Sequence, residues 1–103
     1  MTQVSFSITE NKCVLQVEGH ADYSSRGTDI VCSAVSILSY TIAESIENIE
    51  AKEKVIDIAD GHVYIEVTPL DVVSKAVCLI AFDTVMKGFE LLAESYPDNV
   101  RIV

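Results

Sequence analysis

The sequence has 103 residues and a mass of 11.3 kDa, which fits one domain and excludes a multidomain protein. Half of its residues are hydrophobic and 22% are charged, a composition that predicts a packed core rather than disorder. Seven Lys and Arg against sixteen Asp and Glu give a net charge of −9. Because this charge repels nucleic acid and anionic lipid, we expect a cationic partner and no direct contact with nucleic acid.

Three cysteines, at positions 13, 32 and 78, fit neither a disulfide framework nor a paired zinc-ligand spacing. We therefore expect reduced thiols, no metal and, since no glycine-rich phosphate loop is present, no cofactor. The N-terminus lacks the basic start and apolar block of a secretion signal. The most apolar stretch, residues 72–86, is interrupted by polar and charged side chains, so we expect no membrane span and a cytoplasmic location.

Two segments near the N-terminus alternate apolar and polar residues with the period of a β-strand. The apolar positions are Val4, Phe6 and Ile8 in the first, and Cys13, Leu15 and Val17 in the second. Residues 9–12 lie between them, so the pattern predicts a hairpin.

A long amphipathic helix is predicted from Asp29 to about Glu50. Its apolar residues recur at steps of three and four, as a buried helix face requires. They are Ile30, Ala34, Ile37, Leu38, Ile42, Ile46 and Ile49.

The second half of the chain is predicted to contain a second hairpin and a second long helix. Residues 55–59 and 63–67 are β-branched segments joined by Asp60-Gly61, a pair that favours a tight hairpin turn. Thr68 is predicted to cap a second long helix with Pro69 in its first position. This helix ends at Tyr96, because Pro97 cannot continue it, and residues 100–103 form a final short strand.

The pattern predicts the α+β class, with a single two-layer domain over residues 1–103 in the order ββαββαβ. The second helix is more apolar than one contact with a sheet requires. We expect the remaining apolar helix surface to form a homodimer. The loop of residues 19–28 shows neither the two-residue period of a strand nor the three- to four-residue period of a helix. A long irregular segment of this kind is typical of a functional loop.

Two residues of reactive types lie near the two ends of this loop, a histidine just inside its start and a cysteine shortly after its end. If Asp29 caps the first helix, Cys32 is its third helical residue, where the helix dipole favours the nucleophilic thiolate. His20 can then take the proton of the thiol and return it to a leaving amine. Free backbone N–H groups at the helix start, including that of Cys32, can hold an oxyanion.

Several nearby residues have two interpretations. Asp29 either caps the helix or orients His20. Ser36 lies one helical turn after Cys32, on the same face, and either hydrogen-bonds a neighbouring group of the site or is an ordinary helix-surface residue. Gly19 provides a permissive backbone next to His20. The two central residues also have alternative interpretations. Cys32 could be a small core residue, and His20 could be an ordinary polar residue at the end of a strand.

The other cysteines and the second histidine carry no predicted function. Cys13 and Cys78 occupy apolar faces and are predicted to be core residues. His62, beside the turn, is predicted to be exposed and inert.

One set of residues closely resembles the ribosomal-processing cysteine protease Prp family. It consists of Gly19-His20-Ala21, Gly27, Asp29-Ile30-Val31-Cys32 and Ala34-Val35-Ser36. The resemblance extends over the whole chain. Asp22 and Ser33 depart from the family pattern, in which glycine and alanine are common.

The resemblance implies a homodimeric cytoplasmic cysteine endopeptidase that removes the N-terminal extension of large-subunit ribosomal protein twenty-seven. It implies that Cys32 is the nucleophile and His20 its base, while Gly19, Asp29 and Ser36 support them. It also implies a mobile loop, about residues 21–28, that orders over the bound peptide. The alternative is a non-enzymatic homodimeric binding module for a basic ribosomal or ribosome-assembly protein.

Overall fold

A computed structural model describes all residues from 1 to 103. Its elements follow the order ββαββαβ, which confirms the predicted class and order. They are β1 (Thr2–Thr9), β2 (Lys12–Glu18), α1 (Ile30–Glu47), β3 (Ala51–Ala59), β4 (His62–Pro69), α2 (Val72–Ser95) and β5 (Val100–Ile102).

The five strands form one sheet in the order β3-β4-β2-β1-β5. All neighbours are antiparallel except β1 and β5, which are parallel. The register between β2 and β4 places Glu18 opposite His62. Because of this register, the chain leaving β2 passes directly beside the turn that joins β3 to β4.

Both predicted hairpin turns are present and use left-handed backbone angles. Glu10 and Asn11 have φ angles of 51° and 65° between β1 and β2, and Gly61 has a φ angle of 69° between β3 and β4. Such angles match the twist of tight hairpins.

One face of the sheet is covered by both helices, and the core lies between the two layers. Strand residues that point to this face alternate with exposed or half-buried ones, as the period of a strand requires. The largest fully buried side chains include Val4, Leu15, Ile65, Val67, Ile42, Ile46, Phe82 and Phe89. Cys13 and Cys78 are also buried, which confirms that they are core residues.

The helix α1 begins as predicted and ends earlier. Asp29 is its N-cap, and the helix ends at Glu47 with Asn48 as its C-cap. Strand β3 then begins at Ala51, four residues before the predicted start at Val55. Residues 52–54 are charged and show no strand pattern. The strand extends through them because Glu53 and Lys54 pair with β4, with an irregularity in the register between Ala51 and Glu53.

The predicted start of α2 is wrong. Thr68 and Pro69 belong to β4, where Pro69 pairs with Ala51. Asp71 is the N-cap: its side chain accepts a hydrogen bond from the Ser74 amide at 2.8 Å, and the Asp71 amide donates to Ser74 Oγ at 2.9 Å. This reciprocal capping box satisfies two amides at the helix start.

The helix α1 is long and apolar enough to cross a membrane, judged by length and composition alone. In this structure Val31, Ile42 and Ile46 are buried in the core. Ile30 and Ile37, which the sequence pattern placed on the buried face, are exposed, because the face of the helix that packs on the core is centred on Val31 and Val35 instead. A core helix of a globular domain has the same properties.

A row of apolar side chains on α2 faces away from the core. Val73, Val77 and Ile80 are 72%, 46% and 69% exposed, and their spacing places them on one helix face. We call these three residues the α2 stripe. The opposite face of the helix, with Phe82 and Phe89, is buried.

Candidate active site

Three segments meet at one end of the sheet: the chain after β2, the first turns of α1, and the turn between β3 and β4. They enclose an open cleft of about 310 Å³. Its lining includes His20, Cys32, Ser36, Tyr40 and Asp60. The fold therefore brings the two predicted reactive residues, which are twelve positions apart, into one cleft.

Cys32 is the third residue of α1 and is half-buried at the cleft wall. The other two thiols are buried in the core. Burial raises the pKa of both Cys13 and Cys78, which keeps these thiols protonated and unreactive. Cys32 is thus the one cysteine whose sulfur can meet a substrate.

Asp29 is buried and uses both carboxylate oxygens on backbone amides. Oδ1 accepts from Val31 at 2.9 Å and from Cys32 at 3.0 Å. Oδ2 accepts from Tyr23 at 2.9 Å and from Ser24 at 3.2 Å. Desolvation raises the pKa of this carboxyl, but the four amide hydrogen bonds outweigh it and hold the pKa below its ordinary value.

These contacts decide between the two interpretations of Asp29. The carboxylate caps α1 and ties the first part of the loop to the helix, and it makes no hydrogen bond with His20. They also correct the expectation that the amide of Cys32 is free for an oxyanion, because this N–H donates to Asp29. A side-chain cap and an oxyanion compete for the same helix-terminal donors.

Gly19 positions His20 through its backbone. Its φ angle is 91°, and a Cβ atom at this position would lie 2.5 Å from the Met1 carbonyl oxygen. The Gly19 amide donates to the carbonyl of Gly61 at 2.9 Å, and its carbonyl accepts from Thr2 Oγ1 at 3.2 Å. Only glycine fits this crowded left-handed position.

The imidazole of His20 is half-buried and is engaged by the loop. Its Nε2 atom lies 2.6 Å from Nη2 of Arg26, and Nη1 of the same arginine donates to Asp60 Oδ2 at 2.7 Å. Asp60 Oδ2 lies 3.9 Å from His20 Nε2. No hydrogen bond joins His20 to Cys32, so the two residues share the cleft without direct pairing.

Gly61 lies against the His20 ring. A Cβ atom at Gly61 would approach Nε2 to 2.8 Å and Cε1 to 3.1 Å. The glycine of the turn therefore provides the space in which the imidazole sits.

Ser36 is exposed and lines the cleft one turn after Cys32. Its hydroxyl makes no side-chain hydrogen bond to another residue, so it is available to a ligand in the cleft.

The prediction that His62 is exposed is wrong. Its side chain is half-buried, with Nδ1 2.6 Å from Glu18 Oε1 and Nε2 3.3 Å from Asp57 Oδ2. The hydrogen bond with Glu18 raises the pKa of His62 above its ordinary value, against the opposing effect of desolvation, and Asp57 raises it further. The cross-strand register that pairs residues 18 and 62 creates this contact.

Sequence reasoning missed three contributors to the site: Arg26, Asp60 and the packing role of Gly61. Arg26 is the only Lys or Arg in the loop of residues 19–28, which is the one signal that pointed to it. Its contact with Asp60 spans 34 positions and depends on the sheet register.

The first part of the loop is anchored to the C-terminal segment. Ala21 is buried and its carbonyl accepts from Asn99 Nδ2 at 2.9 Å. The Tyr23 ring meets the edge of Tyr96 with 5.2 Å between centroids. Residues 24–28 are exposed, so any rearrangement of the loop is expected there.

Two relatives share the length of this chain. The ribosomal processing cysteine protease Prp of Bacillus subtilis (strain 168) is 24% identical, over 99% of this chain and 96% of its own. The protein of the same name from Staphylococcus aureus (strain Mu50) is also 24% identical, over 99% and 97%.

Solved structures show the same fold. The crystal structure of an essential ribosomal processing protease Prp from S. aureus, in complex with a covalently linked product peptide, has a TM-score of 0.82 at 23% identity, covering 99% of this chain and 97% of that one. A protein from Streptococcus mutans has a TM-score of 0.69 at 27% identity, covering 99% and 91%. The family model for the cysteine protease Prp matches residues 1–101. This chain therefore belongs to the Prp family of cysteine proteases.

Proposed function

We propose that the protein is a cytoplasmic endopeptidase that removes the N-terminal extension of large-subunit ribosomal protein twenty-seven, with Cys32 as nucleophile and His20 as base. The observation that carries this proposal is the placement of the one accessible thiol at a helix N-terminus, in a cleft shared with the histidine. The names of the relatives, which are ribosomal processing proteases, support the substrate class. The net charge of −9 suits a basic ribosomal protein.

In this mechanism Cys32 Sγ attacks the carbonyl carbon of the scissile peptide bond while its proton passes to His20. The tetrahedral intermediate collapses, the C–N bond breaks, and His20 gives the proton to the leaving amine. Water then attacks the thioester carbon with His20 again taking a proton. The proton returns to sulfur as the carboxyl product leaves.

The supporting residues act through the structure around this pair. Asp29 holds the start of α1, and with it Cys32, in place. Gly19 aligns the chain that carries His20, and the free hydroxyl of Ser36 can hydrogen-bond the peptide. The exposed part of the loop, within residues 21–28, moves and orders over the bound substrate.

The active form is a homodimer. The α2 stripe exposes three apolar side chains on a helix face opposite the core. A two-fold copy of the same chain would cover this surface with an identical one.

Cleavage of the precursor tests the function directly. The wild-type protein should shorten the precursor, as detected by intact mass spectrometry, and Cys32→Ser should leave it uncut. Circular dichroism and thermal unfolding of the variant should match the wild type, because the exchange changes one atom at a half-buried position. A Cys32→Ser variant that still trims the precursor would refute the role of Cys32.

Alkylation provides a control within the same chain. Iodoacetamide should modify Cys32 in the folded protein and leave Cys13 and Cys78 unmodified, because both are buried. Peptide mapping after a short exposure distinguishes the three sites. Family membership favours the protease over the non-enzymatic binding module, which would function unchanged in Cys32→Ala.

A further inference from the structure

Arg26 brings a guanidinium group to the outer edge of the cleft. It lines an open pocket that adjoins the cleft and shares His20, Cys32 and Asp60 with it, and it is the only Lys or Arg that lines either cavity. Its Nη1 atom donates to Asp60 Oδ2 at 2.7 Å, and its Nη2 atom lies 2.6 Å from His20 Nε2. One loop side chain thus contacts both the proposed base and a carboxylate at the cleft mouth.

The hydrogen bond to His20 has a single possible direction. A guanidinium has no acceptor and keeps its charge, so Arg26 donates and His20 Nε2 accepts. The imidazole is then neutral, with its proton on Nδ1. Neither ring nitrogen has a free lone pair, and His20 cannot accept the proton of Cys32 while Arg26 remains in place.

Asp60 holds Arg26 in this position. The aspartate lies in the turn between β3 and β4, its side chain is 74% exposed, and Arg26 is its closest partner. An exposed ion pair of this kind contributes little to stability and is readily exchanged. Any other cation that enters the cleft can compete for the same carboxylate.

We propose that Arg26 masks His20 in the free protein and that a positively charged side chain of the substrate peptide displaces it from Asp60. Asp60 is then a specificity-determining residue, and Arg26 is an internal competitor that leaves when a matching peptide binds. Displacement frees the Nε2 lone pair at the moment the substrate arrives. This inference rests on the proposed function of His20 and Cys32.

The proposal that Arg26 blocks His20 is tested without any peptide. The measured quantity is the rate at which iodoacetamide modifies Cys32 at pH 7. Arg26→Ala should raise this rate by about two- to fivefold, the range that corresponds to an exposed charged hydrogen bond. Arg101→Ala, which removes the only other arginine, should leave the rate unchanged. An unchanged or lower rate in Arg26→Ala would overturn the mask.

Two further variants separate masking from a general opening of the loop. The increase in alkylation rate should disappear when Arg26→Ala is combined with His20→Gln, because the effect of Arg26 on Cys32 is transmitted by the imidazole of His20. Added ethylguanidinium should slow the Arg26→Ala protein again, and this rescue should be lost when Asp60→Asn is also present. A gain that persists without His20 would show that the arginine only blocks access.

The specificity of Asp60 is tested by binding to Cys32→Ala, which requires no cleavage. The peptides come from the cleavage region of the precursor and are compared in pairs. In each pair, one peptide carries arginine at a chosen position and the other carries citrulline, its neutral isostere, at the same position. For one of these positions the arginine peptide should bind several-fold more tightly than the citrulline peptide, and Asp60→Asn should abolish this difference in affinity. Equal binding of all pairs would refute the inference about Asp60.

Failure of the proposed function and failure of the proposal about Arg26 can be told apart. If the wild type cleaves no precursor, the proposed function fails, while the alkylation rates still report whether Arg26 restrains Cys32 through His20.

Discussion

Gly61 has two structural roles in the turn between β3 and β4. Its φ angle of 69° favours glycine, and its missing Cβ leaves room for the His20 ring. The two roles have different costs. A left-handed angle costs an alanine about 1–2 kcal/mol, whereas a displacement of His20, the proposed base, is expected to lower activity. Gly27 has a φ angle of 88° with open space around it, so it has the first role alone.

We expect Gly61→Ala to lower the free energy of unfolding by about 1–2 kcal/mol and kcat/KM by at least about tenfold, because Nε2 of His20 must move. Urea unfolding and cleavage assays measure the two effects. Gly27→Ala should lose similar stability, and in Gly61→Ala the imidazole NMR signals of His20 should shift. Unchanged His20 signals in Gly61→Ala would contradict this account.

His62 couples stability to pH. Its pKa is raised in the folded protein, mainly by the hydrogen bond with Glu18, so the folded state binds its proton more tightly than the unfolded state does. The resulting stabilisation is complete below the ordinary pKa of about 6.5 and is lost as pH rises through the folded value.

We therefore expect the stability difference between wild type and His62→Gln to be larger at pH 6 than at pH 9. Urea unfolding at the two pH values measures it. The pH dependence of this stability difference should be smaller in a Glu18→Gln background, because Glu18 is the main hydrogen-bond partner of His62. A difference that grows toward pH 9 would contradict the assignment.

At the level of elements, the two helix starts show when a local signal is sufficient. The cap by Asp29 was one of two interpretations open from the sequence, and it could be foreseen because it is made with amides only two and three residues away. Thr68 was predicted to cap α2, but the pairing of β3 with β4 extends the strand through Pro69. The Thr68 hydroxyl is left buried without a hydrogen-bond partner.

This orphaned hydroxyl predicts a stabilising substitution. Thr68→Val keeps the shape and the strand preference and removes a buried polar group. The free energy of unfolding should rise by up to about 1 kcal/mol, as measured by urea titration. Thr68→Ser retains the hydroxyl and should not be stabilised, and a loss of stability in Thr68→Val would show that the hydroxyl has a partner in solution.

For the whole molecule, the α2 stripe predicts association. The wild type should have twice the chain mass of 11.3 kDa in size-exclusion chromatography with light scattering. Ile80→Lys, which places a charge on the stripe, should yield the single-chain mass with unchanged helix content. Glu94→Lys, at an exposed polar position of the same helix, is the matched control, and a single-chain mass for the wild type would refute the dimer.

The sequence by itself determined the order of the seven elements, the two hairpin turns and the start of the first helix, and it identified His20 and Cys32 as candidate reactive residues. These features depend on hydrophobic period, turn residues and the chemistry of side chains near one another in the chain, all of which are local. The same reasoning identified the core cysteines.

Only the tertiary structure decided how the site is connected. The pairing of β2 with β4 brings the Asp60-Gly61 turn to His20, lets Arg26 reach both, and joins His62 to Glu18. It also decided that Asp29 occupies the Cys32 amide and does not contact His20. Strand register fixes these long-range contacts, and register is set by the packing of a whole sheet face rather than by any short stretch of sequence.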